Sequence, residues 1–143
     1  MDFMKLITVS ATIDKPVDMV WEYWTNAHHV THWNFASPDW HCPSAETNFV
    51  EGGEFHYLMA AKDGSFEFDF WGTFQKIEPQ KSIEIVLGDQ RKMIVLFEKN
   101  AEGTKLTEQF EPEQENAEEL QQAGWQAILD NFKEYVASSL TTS

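Results

Sequence analysis

The chain has 143 residues, 42% of them hydrophobic and 14% aromatic, and it carries 24 acidic against ten basic side chains for a formal net charge of −14. That length suits a single domain over residues 1–143 with a core of its own, and the charge disfavours nucleic-acid backbones and anionic membranes as partners. One cysteine, Cys42, excludes an intrachain disulfide, and no apolar run approaches the roughly 20 residues that span a bilayer. The first residues, Met1 to Leu6, lack the basic region and long apolar stretch of a secretory signal, so a cytoplasmic location is expected.

Residues 3 to 13 read as a first strand, because Ile7, Val9, Ala11 and Ile13 alternate with Thr8, Ser10 and Thr12. Asp14-Lys15-Pro16 breaks it, and Pro16 suits the first turn of a helix, where its missing N–H is not needed. Val17, Val20, Trp21 and Trp24 then recur at helical spacing and predict a short amphipathic helix. Asn26 is a good cap for a second short helix running towards Trp33. The segment from Asn34 to Asn48 holds Pro38 and Pro43 and reads as a long loop.

From Glu54 the period changes to two. Phe55, Tyr57 and Met59 share one face of a strand, and Asp63-Gly64 is a hairpin turn. In the next strand Phe66, Phe68, Phe70, Gly72 and Phe74 fall on one face, which must be covered, and Pro79 ends the strand. Further strands are predicted over Ile83–Leu87, Met93–Glu98 and Thr104–Phe110, with turns at Gly88-Asp89 and Asn100–Gly103. This gives about five antiparallel strands after the two helices. A long helix to about Leu140 closes the chain, with Trp125, Ile128, Leu129, Phe132 and Val136 as its buried stripe. The fold class is therefore α+β, with a hairpin meander whose bare face the last helix is placed to cover.

An ordered set of short signals carries a resemblance along nearly the whole chain. They are Trp21 in a proline-started helix, Thr25-Asn26-Ala27 leading to Trp33, Gly52-Gly53 before a strand, Gly72 late in a strand and Pro79 after it. Gly103-Thr104 and Gly124-Trp125 complete the set. In these the chain resembles the activator-of-Hsp90-ATPase homologue-like family of the START-like (SRPBCC) superfamily, which includes the birch pollen allergen. The resemblance implies the helix-grip fold, a curved antiparallel sheet wrapped around a long C-terminal helix over an apolar cavity. The family's namesake stimulates a chaperone ATPase, whereas many small relatives resemble binders of lipid-like or aromatic molecules.

Three functions follow as expectations. In the leading one, a small hydrophobic or aromatic molecule is held between sheet and C-terminal helix by Trp33, Tyr57, Met59, Phe68, Phe70, Glu108, Trp125 and Leu129. Phe66 and Phe74 are expected to face the same helix. Glu108 alternates in phase with Leu106 and Phe110, so it points inward if they do, and burial would then raise its pKa. In the second, the acidic surface engages an Hsp90-type chaperone as a regulator. In the third, Glu108 works with Tyr57 or a histidine as acid and base in a cyclase- or hydrolase-like enzyme. No catalytic residue, cofactor or metal is assigned, and the assembly is expected to be a monomer or homodimer. His28 and His32 share a helix face, with His29, His41 and Cys42 nearby, but the spacing lacks the paired short motifs of a zinc site. These histidines are expected near a pocket mouth, in water.

Overall fold

A computed structural model describes residues 6–138. The elements run β1 (Ile7–Ile13), α1 (Val17–Thr25), α2 (Ala27–Trp33), β2 (Trp40–Thr47), β3 (Glu54–Ala61), β4 (Glu67–Glu78), β5 (Ser82–Leu87), β6 (Lys92–Asn100), β7 (Gly103–Phe110) and α3 (Glu118–Ser138). The seven strands form one antiparallel sheet in the order β1-β7-β6-β5-β4-β3-β2, curled into a half-barrel around α3. Only β1 leaves sequence order: it pairs along β7, so the N-terminal strand and the two short helices bracket the meander.

The two helices pivot on one residue. The Asn26 N–H donates to the Glu22 carbonyl and stops α1, while its side chain accepts from the His28 N–H and starts α2. Pro16 stands one position earlier than expected, as the extended cap of α1, and its carbonyl accepts from Met19 and Val20. The segment 34–48, expected to be a loop, contains the edge strand β2. Pro43 is tolerated there because the pairing with β3 slips between His41 and Ser44, a bulge that spares a proline its missing donor. Six strands therefore follow the helices, not five. Residues 3–5 of the expected first strand and Leu140 of the last helix lie outside the described residues.

α3 lies across the opening of the curl. On one side Gln122 and Gln126 donate from their amides to the Thr8 and Ser10 carbonyls of the edge strand β1, at 3.2 and 3.0 Å. On the other side Asn131 donates to the Trp33 carbonyl at the end of α2, at 2.9 Å. All three side chains donate to carbonyls at the sheet edge or the helix end. Leu129, Phe132 and Val136 are fully buried beneath it, and Phe132 meets Trp24 and Trp33 edge-on at 5.0 and 4.8 Å. Three of the four buried α3 residues, Leu129, Phe132 and Val136, lie in its C-terminal half. Its N-terminal half carries the part-buried Trp125 and Ile128.

Candidate functional site

Between that N-terminal half and the concave face lies a cavity of about 290 Å³. Its walls are built by parity: residues of one strand face that alternate towards α3 supply the rings. Phe55, Tyr57 and Met59 come from β3, Phe68, Phe70 and Phe74 from β4, Ile83 and Ile85 from β5, and Met93 and Val95 from β6. Trp125 and Ile128 descend from α3, and Trp24 and Trp33 close the end under the short helices. The rings brace one another: Trp125 stacks on Phe110 at 3.8 Å and meets Phe70 edge-on at 5.9 Å. Gly72 is required where it stands, because a Cβ there would run into the Val86 carbonyl and the Phe55 ring.

Glu108 is the group that apolar walls do not explain. It is 5% exposed and faces the cavity from β7. Its neighbours across the sheet are Val9 on β1 and Val95 on β6. No side chain or backbone group among the described residues hydrogen-bonds to its carboxyl. Burial alone pushes its pKa up, to about 8, so at neutral pH it holds its proton. Tyr57 is the second such group. Its hydroxyl has no partner among the described residues, and burial, with Cys42 beside it, raises its pKa further above the ordinary range.

The other polar lining groups are already engaged. Asn34 donates to the Met59 sulfur at 3.3 Å, and Thr25 to the Trp21 carbonyl at 2.9 Å. Arg91, Glu113 and Gln121 gather at one end. Arg91 holds Asp89 at 2.7 Å and the Glu111 carbonyl at 3.2 Å, while Gln121 bridges the Glu113 backbone and the Asn116 carbonyl. Phe68, 43% exposed, stands at this end, which is therefore the open one.

Seven of the eight expected contacts, Trp33, Tyr57, Met59, Phe68, Phe70, Glu108 and Trp125, line this one cavity. Leu129 does not: it is fully buried in the core, one residue beyond Ile128. Phe66 does not face the helix either. It precedes β4, is 60% exposed, and packs with Phe68 around Trp40 at centroid distances of 6.0 to 6.1 Å. Parity puts it on the correct side of the strand, but the cover ends before it does. Asn34, Arg91, Glu113 and Gln121 were missed, since they come from turns and a helix end where no periodicity points inward.

The histidines are not at the cavity. His29 shares a 2.7 Å hydrogen bond with Tyr135 and stacks on Tyr23 at 4.0 Å, and His32 stacks on Tyr135 at 5.5 Å. They join α2 to α3 on the outside. Burial and the neighbouring His28 lower the His29 pKa. Among the described residues no group of three or more His, Cys, Asp or Glu side chains is placed to hold a metal ion. Cys42 is buried, with its thiol pushed up to about 11 by burial, so the thiolate a nucleophile needs is suppressed. No described helix is long and apolar enough to cross a membrane.

Comparison with known proteins places this architecture. The chain is 42% identical to an activator-of-Hsp90-ATPase-like protein from Aeromonas hydrophila, with 92% of each chain covered and a TM-score of 0.87. It is 40% identical to a protein from Cytophaga hutchinsonii, covering 96% of this chain and 98% of that one at a TM-score of 0.80. A protein from Nitrosomonas europaea shares the fold at 17% identity, with a TM-score of 0.79 and coverage of 95% and 96%. No curated protein matches the chain. Residues 14–137 match the family described as activator of Hsp90 ATPase homolog 1-like protein, and the chain belongs to that family.

Proposed function

We propose that the protein binds a small apolar or aromatic molecule in the cavity between the sheet and α3. One observation carries this reading: the buried Glu108 carboxyl and the part-buried Tyr57 hydroxyl face a largely apolar space with no hydrogen-bond partner among the described residues. A protein that only needed a core would lose nothing by replacing both with apolar residues, because an unsatisfied buried polar group costs free energy. Apolar walls with a few convergent polar groups are the usual make-up of a ligand site. At about 290 Å³ the space is at the small end of such sites, so the occupant is small.

The test uses a neutral environment-sensitive probe, N-phenyl-1-naphthylamine. Its fluorescence should rise and saturate with the parent protein and stay at the buffer level with Ile128→Trp, which fills the cavity from α3. Equal enhancement by both proteins would remove the cavity as the site.

Regulation of an Hsp90-type ATPase is the second reading, supported by the family's description and by the acidic charge that would seek a basic partner. Ile128→Trp separates the two, since a surface-borne effect on chaperone ATPase rate would survive it. An acid–base enzyme built on Glu108 ranks lower. Its cross-strand neighbours are valines, and no second titratable group among the described residues is hydrogen-bonded to it, so it lacks the paired acid and base such chemistry needs.

A further inference from the structure

We infer that the ligand carries a protonated amine, which lies among the rings inside the cavity and pairs with Glu108. This rests on the binding reading above and specifies its chemistry.

Glu108 sits well inside the protein, in a row across the sheet with Val95 and Ile83, both of which line the cavity. The polar groups of the open end, Arg91 and Glu113, lie beyond the ends of β6 and β7, whereas Glu108 lies two residues inside the end of β7. No charge from them acts on its carboxyl, whose raised pKa has burial as its sole cause. The interior therefore offers one ionisable acid, one tyrosine hydroxyl and many ring faces.

Three ligand chemistries can be weighed against that interior. An anion would meet a desolvated carboxyl, and the cation on the lining, Arg91, is already held by Asp89 and the Glu111 carbonyl. A neutral ligand with a single acceptor would take the proton of a neutral carboxyl and leave its carbonyl oxygen unpaired. An alkylammonium has three donors and no acceptor. It satisfies the oxygens of an ionised Glu108 and spreads its remaining charge over ring faces, which attract cations within about 6 Å of their centroids. Trp24, Trp33, Phe70, Phe74 and Trp125 supply those faces. The net charge of −14 draws cations towards the protein before they reach the cavity.

Proton balance gives the signature. In the free protein Glu108 holds a proton at neutral pH. Pairing with an ammonium expels that proton to solvent, while the amine keeps its own. Of the other groups in or beside this space, Tyr57 and Cys42 have their pKa values raised by burial and stay neutral, and Glu113, lowered by its hydrogen bond with Asn116, stays ionised.

The experiment is calorimetric titration with 2-phenylethylamine and with 2-phenylethanol, its neutral counterpart of similar size, at pH 7. Each is run in two buffers of different ionisation enthalpy, so that proton release is read directly. The amine should bind at least ten-fold more tightly than the alcohol and release close to one proton per molecule bound. Glu108→Gln should abolish both the preference and the release, with an unfolding midpoint at pH 5 checking that the variant is folded. The variant also guards against a cation merely attracted by the acidic surface, because that attraction would survive it. Alcohol binding as tight as the amine's, or amine binding without proton release, overturns the inference. If the alcohol and the fluorescent probe bind and the amine does not, this inference falls alone. If none of the three binds, the cavity reading falls with it.

Discussion

Glu108 couples the cavity to pH through the stability of the fold. Its carboxyl titrates near 4.5 in an unfolded chain and at about 8 when folded. Between those values the unfolded state gives up its proton and the native state keeps it, so stability falls as pH rises and the loss is complete above about 8. The full span is on the order of 5 kcal/mol. Denaturant unfolding of the parent should therefore show a midpoint that declines from pH 5 to pH 8, and Glu108→Gln should flatten most of that slope. A parallel decline in both proteins would show that Glu108 is ionised or solvated when folded. His56 adds a smaller effect of the same direction. Its ring nitrogens meet Asp69 at 2.7 Å and Glu54 at 2.9 Å, and those hydrogen bonds raise its pKa, with that to Asp69 the larger cause. Its contribution is whole below pH 6.5 and fades as pH rises through the raised value. The group is exposed, so added salt should erase it, whereas the Glu108 slope should persist.

At the scale of elements, α3 has two faces separated by one residue. Ile128 lines the cavity and Leu129 is fully buried against the core. Leu129→Ala should cost about 2–5 kcal/mol, measured by denaturant unfolding, and leave probe affinity within two-fold. Ile128→Ala should cost less, because its side chain is part-buried beside empty space, yet change probe affinity several-fold. The reverse pattern would mean that α3 is rotated about its axis. The same one-residue distinction explains what was legible beforehand. Spacing on α3 marks the whole stripe from Trp125 to Val136 as inward, but inward towards a cavity and inward towards packed side chains look alike in a pattern of apolar residues. On β7, by contrast, a strand period of two is exact enough to turn Glu108 inward between Leu106 and Phe110, which are fully buried. Phe66 shows the converse failure: parity names a face but not where the covering helix stops. β2 was hidden because Pro43 reads as a strand breaker, and only pairing with β3 shows that a bulge absorbs it.

For the whole molecule, the excess of acidic groups opposes compactness. Among the described residues, the exposed pair of Lys76 with Glu78 at 3.5 Å and the half-exposed pair of Arg91 with Asp89 at 2.7 Å offset little of it, since surface pairs contribute about 0–1 kcal/mol each. With 24 acidic against ten basic side chains, carboxylates outnumber the cations that could answer them, and their mutual repulsion acts over the screening length. That length is about 30 Å at 0.01 M salt, comparable to the whole domain, and about 8 Å at 0.15 M. Thermal unfolding at pH 7 should therefore show a midpoint that rises from about 10 mM to about 200 mM sodium chloride and then levels off, as screening shortens below the spacing of the surface carboxylates. A falling midpoint would mean that local ion pairs outweigh global repulsion. The cavity responds in the opposite sense. A cationic ligand gains from the same field, so its association rate should fall over the same range of salt, while that of a neutral probe should not move. Measured together, the two salt series separate the charge of the surface, which salt hides, from the single carboxyl inside, which it cannot reach.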